Sequence, residues 1–454
     1  MSTMTAAHTK TRRPGYIAQV GLDFGTAYSK CVVRDVGAGW ARVVEGGLDG
    51  EPYLFPSSVY YRNGEFSGGV QTGSLELPFA KVLLATLARN RPLDSRTMPW
   101  QAVLRPEPIK RAKAGAAWML AALLREAQKL ACLMMPGFGS QHDDLLYVNM
   151  CVPVDDMQDH HTREVFEDVL KSAWRLATQQ QSDISSAEMA EMCFLYPEVA
   201  ANVQAFLKSG FANHEWGNPF FLTDVGAGTA DQSYFIPTLG LEALTFLSSL
   251  VESLGSSQIE KRCADMLVQN GRPEHSATMK AIRAFKEGRG SLRNEAQTVF
   301  ARVVGELQHE MGKITSHTVS QGRSRLTQEG QQIHNQFGHT RVLFAGGGIR
   351  DLPYRDGVLN SFDQSWHLTP DSIELPRPND LLRASGAQVP DEWFRRLTVA
   401  YGLSFMRQDL QKITLPNQLP NLPPAPALMQ HGNGRCRACG RPTVFGDDYC
   451  YTHQ

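Results

Sequence analysis

Tyr16-Ile-Ala-Gln-Val-Gly-Leu-Asp23-Phe-Gly25-Thr26-Ala27-Tyr-Ser-Lys-Cys-Val-Val33 is apolar or alternating on both sides of a short Asp-x-Gly-Thr segment. That is the pattern of a β-hairpin closed by a glycine-containing turn. A second stretch repeats it: Phe220-Phe-Leu-Thr-Asp224-Val-Gly226-Ala227-Gly228-Thr229-Ala-Asp231-Gln-Ser-Tyr-Phe-Ile236. The two aspartates stand 201 residues apart. Each follows an apolar strand and precedes glycine and threonine. This spacing predicts two lobes that open with the same element, as an internal duplication would leave them.

Around these stretches the chain reads as alternating α and β. A helical stretch covers about 111–135, a strand ends at Val152-Pro153, and a helix lies near 161–178. Residues 258–316 read as mostly helical. Within them Val299, Val303, Leu307, Met311 and Ile314 recur at the three- and four-residue spacing of one buried helix face. Residues 317–338 read as a polar loop. Arg341-Val-Leu-Phe-Ala345 is a short strand running into Gly346-Gly347-Gly348, and an apolar helix follows around 392–410. Five prolines between Leu415 and Pro426 exclude helix or central strand and predict an extended linker. The organisation expected is a flexible N-terminus over 1–15, lobes over 16–205 and 206–410, a Pro-rich linker over 411–434 and a mini-module over 435–454.

Composition limits the function classes. The 454 residues carry 45 basic and 46 acidic side chains, a net charge of −1. That balance argues against a surface built wholly for polyanions. The first fifteen residues lack the apolar core of a signal peptide, and Ala116–Met135 is interrupted by Arg125, Glu126 and Lys129. Five of the eight cysteines are scattered, as buried thiols of a reducing compartment are. A cytoplasmic protein without membrane contact is expected.

The glycine turns carry the chemistry. Glycine lets backbone N–H groups close around a phosphate. Asp23 and Asp224 would repel bare phosphates, so the pattern calls for a divalent cation such as Mg²⁺ held partly through water. Thr26 and Thr229 offer hydroxyl donors, and Asp231 is placed to orient or deprotonate an attacking water. Gly346, Gly347 and Gly348 allow close approach to a flat base or a ribose, with Arg350 beside them.

Taken together, these elements resemble the actin, sugar-kinase and heat-shock-chaperone ATPase superfamily. The 70-kDa heat-shock chaperones are the most similar over roughly 16–410. Their first phosphate loop resembles Gly21–Ser29, and their Val-Pro element resembles Val148–Val154. Their Glu-Pro-Thr-Ala-Ala segment resembles Tyr196-Pro197-Glu198-Val-Ala200-Ala201. The second phosphate loop matches Asp224–Asp231, the adenosine motif Val342–Arg350, and the hinge helix Val399-Ala400-Tyr-Gly402-Leu. The resemblance implies a two-lobed actin-like α/β fold of duplicated ribonuclease-H-like lobes, with MgATP between them. It implies Asp23, Glu198, Asp224 and Asp231 as the catalytic carboxylates. Gly25, Thr26, Ala27, Gly226, Ala227, Gly228 and Thr229 would hold phosphates, and Lys286, Gly346, Gly347, Gly348 and Arg350 would face the nucleoside. The family's hydrolytic lysine has no counterpart in Phe66–Gly73, and Lys81 matches a later, structural basic residue. Only 44 residues follow position 410, too few for the chaperones' peptide-binding domain and lid.

The C-terminus adds Cys436-x-x-Cys439 and Cys450-x-x-His453, two ligand pairs ten residues apart. This is the donor set of a tetrahedral Zn²⁺ site, and so small a module would fold on its metal. It resembles zinc-ribbon and knuckle modules that serve as binding surfaces, so a protein partner is expected there. Nucleic acid would have only Arg435, Arg437 and Arg441 to meet. The expected function is a chaperone-like, slow ATPase whose lobe closure switches partner binding. The alternatives are an actin-like polymer former, a small-molecule kinase, and a nucleotide-sensing adaptor without turnover.

Overall fold

The computed structural model describes residues 13–47, 50–69, 72–93, 97–179, 184–208, 218–237, 243–268, 273–286, 288–329, 338–350 and 352–419. The architecture is mixed α/β and rests on two large sheets. Both predicted hairpins form. Strand β1 (Ile17–Asp23) turns antiparallel into β2 (Tyr28–Asp35), and β3 (Ala41–Val43) continues the meander. Helix α1 (Pro108–Met134) carries the chain to β4 (Leu145–Val152), parallel to β1. Helix α2 (His160–Thr178), started by the Asp159 side chain accepting Thr162 N–H, leads on to β5 (Cys193–Pro197) beside β4. Helix α3 (Glu198–Lys208) leaves β5 directly.

The second sheet repeats this path. Strands β6 (Phe220–Val225), β7 (Ala230–Pro237) and β8 (Ala243–Glu252) form an antiparallel meander. Helices α4 (Ser257–Leu267), α5 (Pro273–Lys286) and α6 (Asn294–Glu329) precede β9 (Arg341–Ala345), parallel to β6. Helix α7 (Leu352–Trp366) precedes β10 (Asp371–Ile373), parallel to β9. The late strand β11 (Leu381–Leu382) joins the edge of the first sheet at β3. Helix α8 (Asp391–Leu403) follows, and β12 (Lys412–Thr414) joins the second sheet at β8. The orders are β11-β3-β2-β1-β4-β5 and β10-β9-β6-β7-β8-β12. Each half thus places its third, second, first, fourth and fifth strands side by side with the same senses.

The period-two alternation of the strands explains why both sheet faces are covered. In β6, Phe221 packs into a core with α6 and α7 residues such as Leu307, Met311 and Phe362. Its neighbours Phe220 and Leu222 point the other way, into a core that also holds Tyr196, Val199 and Phe206 from α3 and its strand and Val399 and Leu403 from α8. That second core joins the two halves. On the first sheet, Leu120, Leu124 and Ala131 of α1 and Phe166 and Leu170 of α2 cover Ala18, Val20 and Leu22.

Three expectations need correction. Residues 317–329 are not a loop, because α6 continues through them. Thr318 and Val319 are buried there, and Gly322 lies so close to the Tyr234 side chain that a Cβ would fall 2.3 Å from its ring. Tertiary packing supports polar sequence as helix. The apolar helix near 392–410 stops at Leu403, where Ser404 ends it. The linker begins later than 411, since Lys412–Thr414 pairs with β8. The chain also crosses between halves, with β11 and α8 returning to the first sheet. The N-terminal residues 1–12 and the tail from 420 lie outside the described residues. Among the described residues, no helix is long and apolar enough to cross a membrane.

Candidate functional site

The ends of β1, β6 and β9 and the start of α3 converge on one cleft of about 430 Å³, a size common for small-molecule sites. Asp23, Gly25, Thr26, Ala27, Glu198, Asp224, Gly226, Ala227, Thr229, Asp231, Lys286, Gly346, Gly347 and Gly348 all line it. Gly228 is placed against the opposite turn instead of the cleft wall. A Cβ on it would fall 2.6 Å from Thr26 Cγ2, so the two turns meet where only glycine fits. Arg350 closes the short helical turn Gly347–Arg350, and its side chain lies outside what is described. Cys436, Cys439, Cys450 and His453 lie outside the described residues.

The hairpin registers decide the electrostatics. Asp23 stands opposite Lys30, and Asp224 opposite Asp231. The equivalent position thus carries an ammonium in one half and a carboxylate in the other. Lys30 Nζ is 2.6 Å from Asp23 Oδ2. Burial pulls the Lys30 ammonium down, and the Asp23 carboxylate more than compensates, so Lys30 stays charged. Burial pushes Asp224 up to about 7, with the Glu198 carboxylate adding to it. Asp231 is raised well above the usual carboxylate range by burial and then by Glu198 and Asp224. Its Oδ1 has no hydrogen-bond partner among the described residues, and Thr229 Oγ1 lies 3.5 Å from its Oδ2.

Glu198 is held at the first residue of α3 by Lys81, whose Nζ lies 2.7 Å from Oε2. Asp23, Glu198 and the buried thiol of Cys151 bring their ligand atoms within 4.8 Å of one another. Burial raises the Cys151 thiol, so it remains a donor, 3.5 Å from Asp23 Oδ1. The carboxylate oxygens of Asp23, Glu198, Asp224 and Asp231 are hard donors of the type Mg²⁺ takes. Asp231 Oδ1, buried and without a partner among the described residues, adds a further oxygen donor to this set. The donor set therefore fits a divalent cation.

The turns are braced from behind. Ser57 Oγ donates to Gly25 O at 2.7 Å and shares a hydrogen bond with Ser29 Oγ at 2.9 Å. Ala227 O accepts from both Ser257 N–H and Oγ, and Gly228 O accepts from Gly255 N–H. Tyr354 Oη then fixes Gly255 O at 2.9 Å. On the far wall, Lys286 Nζ is 3.0 Å from Glu260 Oε1 and donates to Ser256 O at 3.2 Å. Glu260 is 2% exposed, and its Oε2 lacks a partner among the described residues.

Sequence reading missed Lys30, Cys151, Asn202, Ser57, Glu260 and Thr398. For Lys30 a signal was present, since a tight hairpin sets Asp23 opposite the residue seven positions on. Asn202 and Thr398 gave none, because only tertiary packing sets Asn202 against Asp224 and only the crossing of α3 and α8 brings Thr398 to Asn202.

No protein-family model matches this chain, and no curated protein matches it.

Proposed function

We propose that the chain binds MgATP in this cleft as a member of the actin, sugar-kinase and 70-kDa heat-shock-chaperone ATPase type, with two ribonuclease-H-like lobes closing on the nucleotide. One observation carries the reading. Two sheets of identical strand order present equivalent Asp–Gly–Thr turns to a single cleft, and the third glycine run ends a strand beside them.

Asp23, Glu198 and Asp224 hold the cation and its waters. Bound there, Mg²⁺ neutralises phosphate charge. Gly25, Thr26, Ala27, Gly226, Ala227, Gly228 and Thr229 shape the phosphate cradle, and Lys30 supplies a fixed cation beside the first turn. Asp231 orients the attacking water and, when ionised, accepts its proton. Lys286, Gly346, Gly347, Gly348 and Arg350 face the nucleoside. Lobe closure is the signal, a partner reads it, and slow hydrolysis resets it. The tail ligands Cys436, Cys439, Cys450 and His453 bind Zn²⁺ and form the partner-binding module.

Phosphate release in a single turnover, wild type beside Asp224→Asn, tests this. A burst of phosphate in the wild type that disappears in the variant is expected. A second reading, a nucleotide-gated adaptor without turnover, draws on Lys81, which is locked onto Glu198 and does not line the cleft. ATP binding with no phosphate release would select it. Absence of ATP binding would remove both.

A further inference from the structure

Asn202 sits on α3 one turn beyond Glu198, fully buried, in a helix crossing otherwise built from Val199, Ala200, Ala201 and Val203 against Val399, Ala400 and Leu403. A polar amide in such a place is costly unless every partner is supplied. Here each is. Asn202 Nδ2 donates to Asp224 Oδ2 at 2.6 Å, and Asn202 Oδ1 accepts from Thr398 Oγ1 on α8. A carboxylate oxygen accepts only, so Asp224 fixes which way the amide faces, and the amide fixes the hydroxyl.

A further line of contacts leads from Thr398 back to the glycine run beside Asp224. Thr398 Oγ1 also lies 3.4 Å from Arg395 O, and that carbonyl accepts Gly346 N–H at 3.1 Å. Gly346 has φ +83°, and a Cβ on it would fall 2.2 Å from Asp224 Oδ1. One Asp224 oxygen is therefore tied to α3 and α8, and the other lies over the glycine run at the end of β9.

We infer that Asn202, seconded by Thr398, is the positioning residue of Asp224, and that the pair couples what Asp224 holds to the crossing of α3 and α8. The inference rests on the nucleotide-binding reading above and adds the route by which the cleft's cation reaches the helices shared by both halves. With Oδ2 held, Oδ1 is the oxygen that would be left for a cation, and any shift of Asp224 toward one would act on Asn202 and, through it, on Thr398.

ATP affinity of the full chain, measured by calorimetry in Mg²⁺ and again in EDTA, tests the pair. Wild type is expected to bind more tightly with Mg²⁺. Asn202→Leu is expected to lose about tenfold of that gain while its EDTA affinity stays unchanged, as loss of one hydrogen bond to a charged group predicts. Thr398→Val should lose a smaller part, and Thr398→Ser should restore it. An Mg²⁺ gain equal in wild type, Asn202→Leu and Thr398→Val overturns the inference and leaves the nucleotide reading standing. No Mg²⁺ gain in the wild type overturns both. Should Asn202→Leu fail to fold, Thr398→Val against Thr398→Ser decides alone.

Discussion

Asp224, buried, and Lys30, half-buried, both stand at a glycine turn of the cleft, and their neighbours treat them oppositely. Lys30 has Asp23 across the hairpin and keeps its charge. Asp224 is buried with Glu198 nearby, and its carboxyl rises to about 7. An unfolded aspartate titrates near ~3.9. Between about pH 4 and pH 7 the folded chain therefore binds more protons at Asp224 than the unfolded chain does, so this group makes stability fall as pH rises through that window. Urea unfolding of the nucleotide-free protein at pH 5, 6, 7 and 8 is expected to show Asp224→Asn gaining on wild type as pH rises, with the difference levelling off above pH 7. A difference that is constant with pH would show that Asp224 is ionised throughout. A bound divalent cation would remove the effect, because it holds the carboxylate charged.

At the scale of elements, the site depends on two hairpin turns touching. Gly228 lies against Thr26, and the brace Gly255–Ser257 fixes the second turn through three carbonyls. Gly228→Ala places a methyl 2.6 Å from Thr26 Cγ2 and forces the turns apart. Overpacking of this kind costs about 1–3 kcal/mol. At the cleft mouth that cost is expected mainly as weakened ATP binding, about tenfold or more, with a melting temperature lowered by only a few degrees. Unchanged affinity would mean that the two turns do not hold one ligand. The helices behave differently from the turns. The apolar or alternating runs of β1, β2, β6 and β7 and the periodicity over Val299–Ile314 in α6 were visible in the residues themselves. The C-terminal part of α6 was not, since its polar residues become helical through buried Thr315, Thr318 and Val319 and the Gln232–Thr315 hydrogen bond.

For the whole molecule, the relevant fact is that the halves are interleaved. β11 and α8 return to the first sheet after the second is built, while the core around Phe206, Phe220 and Leu403 is shared. A ligand touching both β1 and β6 thus acts on a common core. The C-terminal module enters the proposal as the reader of that action, joined through a proline-rich linker. Its metal is expected to be separable from the cleft. Stripping Zn²⁺ from the full chain with a chelator such as 1,10-phenanthroline should leave MgATP affinity unchanged while abolishing partner capture, and metal analysis should find about one zinc per chain before stripping. A fall in ATP affinity after stripping would place the zinc module in the nucleotide site instead.

The residues alone determined the two Asp–Gly–Thr hairpins, the strand feeding the triple glycine and the alternation of helix and strand, because these are local patterns written within a few positions of one another. They also marked most of the turn residues that line the cleft. Only the tertiary structure decided that the strand order recurs in both sheets and that Asn202, held by Thr398, meets Asp224. Those facts depend on strand pairing and on a helix crossing between residues nearly two hundred positions apart, and no local pattern in the chain encodes that distance.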